Sequence, residues 1–166
     1  MFGLTSLGVV HTLISLVAVA AGVWALARHK EIALAKPPGK TYVVTTLLTA
    51  LTGLGIFQHG GFGPPHVLAI LTILALAAGA AIELKGLLGA WSRQAQAVAY
   101  TSTMLFHMIP AFTETLTRVP LGAPLLPNAE APEFKPIYGT LLLIYVVGLV
   151  LQLRWLRGQG VRPVAA

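Results

Sequence analysis

Five long apolar runs separated by short polar breaks organise the chain, near residues 4–27, 41–58, 66–88, 94–117 and 137–156. Each approaches the ~20 residues, range about 17–25, that a helix needs to cross a bilayer's hydrocarbon core. The pattern predicts one all-α membrane domain over residues 1–166, a polytopic bundle of five transmembrane helices in which a four-helix core carries a peripheral fifth. The second run, "TYVVTTLLTALTGLGIF", is short and threonine-rich, and polar groups interrupt the fourth. Both read as helices packed among others rather than facing lipid. No basic residue precedes the first run, which is too long for a signal-peptide core and ends in Arg28-His29-Lys30. It reads as a permanent helix.

Composition agrees with the pattern: 56% of residues are hydrophobic, 10% are charged and the mean hydropathy is +0.80. A net charge of +6 would suggest nucleic acid in a soluble chain, but here the basic residues lie between the runs. Arg28, Lys30, Lys36 and Lys40 follow the first run, Lys85 and Arg93 the third, and Arg154, Arg157 and Arg162 the fifth, while Arg118 and Lys135 alone lie on the opposite side. Basic residues concentrate in cytoplasmic connections, so the expected topology has an outside N-terminus and a cytoplasmic C-terminus, in the plasma (inner) membrane. The lipid bilayer is the expected partner and nucleic acid is not. A lipid-binding role for the basic first connection is the alternative to a purely topological one.

The histidines carry the candidate chemistry. With 1.5 Å of rise per residue, His11 and His107 both fall about 10 Å below the outer surface, at one level. His59 and His66 flank the segment "HGGFGPPH" at that surface, and Glu114 lies on the outer turn of the fourth helix. Tyr100, Thr103, His107 and Glu114 share one helical stripe; Gly8, His11, Ser15, Ala18 and Gly22 form another, whose small residues suit close packing in lipid. Pro110 should kink the fourth helix just above His107. An ionisable group inside a membrane is a functional candidate, yet each feature has a plainer reading. A histidine can simply bond a neighbouring helix, Glu114 can pair with Arg118 four residues on, and the threonines can serve packing.

Two imidazoles at equal depth on separate helices suit the axial ligation of a b-type haem, with Gly and Ala faces leaving room for the ring. They suit equally a transition-metal site for Cu, Zn or Fe built from His11, His59, His66, His107 and Glu114. Around it would stand Ser15, Tyr100 and Thr103, with Met104 and Met108 as thioethers flanking His107. The chain has no cysteine, which excludes covalent c-type haem and thiolate-held clusters. Patterns for zinc hydrolysis, phosphate loops and Ser/His/Asp catalysis are absent. The connection over residues 118–136 has five prolines, "VPLGAPLLPNAEAPEFKP", and reads as a stiff tether or a lid over the outer histidines.

A His-bearing first helix, a basic loop, "GKTYVVTTLLTALTGLGIF", a Gly-rich outer turn and a third helix together resemble small bacterial membrane proteins classed as domains of unknown function. That resemblance covers about the first 115 residues and implies a fold only. A looser similarity to the transmembrane b-type cytochromes, four-helix bundles with histidines on facing helices, implies at most one haem near the outer face, because His29 alone lies on the other side. The expected function is haem or transition-metal binding through His11 and His107 for electron transfer or a redox step. The rivals are a non-catalytic membrane subunit or assembly factor whose histidines cement helices, in a homo-oligomer or larger complex, and a transporter, against which the absence of an internal repeat counts.

Overall fold

A computed structural model describes residues 5–57 and 61–159. Five helices occupy them: α1 (Ser6–His29), α2 (Pro37–Gly53), α3 (Pro64–Lys85), α4 (Ser92–Arg118) and α5 (Phe134–Gly158), with a short 3-10 turn at Gly89–Trp91 before α4. No strand is found among the described residues.

Local chemistry sets the helix ends. Thr5 caps α1 by accepting the Gly8 N–H at 3.1 Å, and Lys30 ends it in the left-handed conformation. Adjacent prolines start both α2 (Pro37, Pro38) and α3 (Pro64, Pro65), where their missing N–H groups cost nothing. They shift α2 from the expected 41–58 to Pro37–Gly53. The apolar pattern alone missed this, because Pro, Gly and Lys at the start of α2 carry no hydrophobic signal. The fourth helix runs through Pro110 as one element.

The helices pack in chain order: α1 on α2, α2 on α3, α3 on α4, with α1 touching α4 to close the ring and α5 lying on α4. Each successive helix reverses direction. One end, called here the basic end, gathers the α1–α2 and α3–α4 connections and the C-terminal turn of α5. The other, the histidine end, holds the start of α1, the α2–α3 and α4–α5 connections and the start of α5.

Two tyrosines bind the ring together. Tyr42 of α2 is fully buried against Gly22 of α1 and Met104 of α4; a Cβ added at Gly22 would sit 2.6 Å from Met104 Sδ and 2.7 Å from the Tyr42 ring. Tyr100 of α4 is likewise buried against Gly79 of α3, where a Cβ would meet the ring at 2.5 Å. Hydroxyl bonds fix both rings, from Tyr42 to Thr103 at 2.6 Å and from Tyr100 to Glu83 at 3.2 Å.

Polarity runs from the inside outward. Buried positions include Thr46, Thr49, Thr72, Gln96, Thr101, Thr103, His107 and Gln152, whereas Leu13, Leu16, Trp24, Leu74, Leu143, Ile144 and Leu151 are exposed. Such a surface in water would be an aggregation hazard; against lipid it is the expected exterior. Three helices, α1, α3 and α5, are long and apolar enough to cross a membrane. α2 has only 17 residues, four of them threonine among its last nine, and α4 turns a polar face inward.

Candidate functional site

Two threonines of α2 receive the deep histidines. His11 Nδ1 lies 3.1 Å from Thr52 Oγ1, and His107 Nε2 lies 3.0 Å from Thr46 Oγ1. Each bond uses one of the two ring nitrogens. The threonine hydroxyls are themselves anchored to their own helix, Thr52 donating to the carbonyls of Leu48 and Thr49. The edge of the Tyr42 ring faces His107 at a centroid distance of 6.1 Å, and the imidazole is 8% exposed. His11 is half-buried beside Gly53, at which a Cβ would approach its ring to 3.3 Å.

These anchors correct the expectation of equal depth. Thr46 and Thr52 are six residues apart on α2, a step of about 9 Å along the axis. The rings are staggered because α1 and α4 run antiparallel, and side chains tilt toward their own helix N-terminus. His11 therefore leans to the histidine end and His107 to the basic end.

The other expected site residues are dispersed. Glu114 pairs with Arg118 one turn away, and it lies within electrostatic reach of His11, as His11 does of His107. His66 is 4% exposed and contacts the rings of Phe57 and Phe62, at 4.6 and 5.3 Å. Its Nδ1 accepts the Gly63 N–H at 3.3 Å at the start of α3, and its Nε2 has no partner among the described residues. His59 lies outside the described residues. Ser15 donates to the carbonyl of Thr12 on its own helix. Tyr100 bonds Glu83 at the basic end, away from the histidines, while Thr103 serves Tyr42. Met104 fills the space over Gly22, and Met108 faces a cleft shared by α1, α4 and α5. No group of three or more His, Cys, Asp or Glu side chains arranged for a metal is found among the described residues.

The small-residue faces expected to leave room for a flat ring are filled at Gly22 and Gly79 by Tyr42, Met104 and Tyr100. These tyrosines supply the interhelical packing that glycines permit.

The densest polar network lies at the basic end, around the α1–α2 connection. Glu31 is 5% exposed and takes two bonds from Arg93, Nε to Oε2 at 2.7 Å and Nη2 to Oε1 at 3.0 Å, and a third from Lys36 Nζ at 2.7 Å. Burial pushes its carboxyl up, but the Arg93 and Lys36 cations overcome this and hold it below the ordinary value of 4.5. Glu83 accepts the N–H groups of Leu34 and Ala35 at 3.0 and 3.2 Å. Gln96 and Gln152 donate to the carbonyls of Ile32 and Lys30, and Thr101 donates to Gln152 at 2.9 Å. The sequence reading of a peripheral fifth helix does not include this glutamine. The signal was scarcity: the chain has five carboxylates, all glutamate, and two of them stand where the basic residues cluster.

Compared with known protein families, with curated proteins and with solved structures, the chain matches none.

Proposed function

We propose that the protein is a helical membrane subunit, or an assembly factor, in which the interior histidines hold helices together and do no chemistry. The observation that carries this reading is the stagger of His11 and His107. Each spends a ring nitrogen on a different threonine of α2, six residues apart, so the pair ties α1 and α4 to one helix at two levels. Bonds of this kind contribute about 0.6 kcal/mol each, up to ~1.7, and they define register more than they add stability. Its working context would be a homo-oligomer or a larger complex of the bacterial plasma membrane.

A second reading, transition-metal binding for electron transfer or a redox step, has its own support. Each imidazole is oriented through one ring nitrogen by a threonine hydroxyl, as a ligating histidine usually is by an outer hydrogen bond. His11, with Glu114 and His107 within electrostatic reach, is where a Cu, Zn or Fe ion would bind. A bare ion fits better than haem b, since the glycine faces are filled.

The visible absorption spectrum of the purified protein, oxidised and reduced, taken together with elemental analysis, separates the readings. A featureless spectrum and no stoichiometric metal is the expected result. A reduced haem band, or a metal that disappears in His107→Ala, overturns the structural reading in favour of the second.

A further inference from the structure

α5 packs mainly on α4 and bonds the α1–α2 connection through Gln152 and the Lys30 carbonyl, and a cleft of about 550 Å³ lies between α1, α4 and α5. Its walls are apolar along most of their length, with Leu105, Met108, Ile144 and Gly148 among them, and the unbranched methionine gives a wall that adapts to its contents. Toward the basic end it becomes polar at Lys30 and Trp155. From Leu141 to Trp155 the cleft follows fourteen residues of α5, about 21 Å of rise, more than the roughly 15 Å of one leaflet. Its size falls within the ~300–1,000 Å³ of ordinary ligand sites between bundle helices.

Charge selects the occupant. Among the described residues of the basic end, both carboxylates are already engaged: Glu31 by Arg93 and Lys36, and Glu83 by two backbone N–H groups and Tyr100. Arg28, Lys30, Lys40, Lys85, Arg154 and Arg157 have no carboxylate partner there. The Arg93 guanidinium lies 5.7 Å over the Trp155 ring, and its Nη1 has no hydrogen-bond acceptor among the described residues. An apolar slot one leaflet deep, ending in one cation without a carboxylate partner, Lys30, at an end rich in further basic residues, and in an interfacial tryptophan, matches an amphiphile with an anionic head.

We propose that this cleft holds one anionic phospholipid, an acyl chain lying along α5 past Gly148 and the phosphate meeting Lys30 at the basic end. The lipid would complete the packing that α1 and α5 do not make with each other.

The test is thermal unfolding of the full chain in detergent micelles supplemented with phosphatidylglycerol or with phosphatidylcholine, together with quantitative lipid extraction. A ligand that binds only the folded state raises Tm with its concentration. Phosphatidylglycerol should raise Tm well above the value in phosphatidylcholine, and about one phosphatidylglycerol per chain should be retained, as one-site linkage requires. Gly148→Phe fills the cleft from a position where an added Cβ meets nothing within 4 Å, so it should abolish the difference while circular dichroism stays unchanged. Lys30→Gln should reduce the preference for phosphatidylglycerol and leave the weaker phosphatidylcholine effect. Equal stabilisation by the two lipids, an undiminished preference in both variants, or a retained quinone or second copy of the chain in place of phospholipid, would overturn the proposal.

Discussion

At the residue scale, Glu31 is the most demanding group in the molecule, a buried carboxylate held by two cations. Removing one partner of a buried ion pair costs far more than the pair is worth, because the other charge is left unpaired. Glu31→Gln should therefore lower stability by about 3 kcal/mol or more, measured by unfolding in detergent, whereas the exposed Glu130→Gln should change it by less than about 0.5 kcal/mol. The sign of the pH dependence follows from the lowered carboxyl. Stabilisation by Glu31 is fully present above pH 4.5, its ordinary value, and is lost as pH falls through the lower folded value. The acid limb of the stability curve should flatten in Glu31→Gln; an identical limb would assign acid sensitivity to other groups. Hydropathy could not reveal this residue, since two charges that neutralise each other across 62 positions leave no local pattern.

At the element scale, the two tyrosine–glycine contacts join the helix pairs α1–α2 and α3–α4 and then the pairs to each other. Gly79→Ala should cost about 1–3 kcal/mol through overpacking against Tyr100. Gly139→Ala, facing open space on α5, should be neutral or slightly stabilising by helix propensity. Equal effects of the two substitutions would deny the close approach. The existence of five helices was legible because apolar runs of this length have few other uses. The starts of α2 and α3 were less so, being written in prolines rather than in hydrophobic residues. The threonine content of α2 was visible in the sequence, and so were the histidines of its neighbours. What was not visible is which threonine each histidine reaches, and so the two anchors about 9 Å apart along α2; helical spacing within one element does not specify that.

At the scale of the whole molecule, interior polarity, an apolar exterior and three helices long and apolar enough to cross a membrane suit a lipid solvent, and the two unlike ends suggest an orientation. Absence of cysteine makes the orientation measurable. A cysteine placed at exposed Leu125, in the α4–α5 connection, should react with an impermeant maleimide in intact cells. One at exposed Leu87, at the basic end, should react only after lysis. The reverse pattern would invert the topology. The central claim, that the interior histidines are ties between helices, is tested most directly by a double-mutant cycle of His107→Leu and Thr46→Val, read as unfolding free energy in detergent. The account predicts a coupling of about 0.6 kcal/mol, up to ~1.7, with the double variant hardly worse than either single one. Strictly additive losses would contradict it.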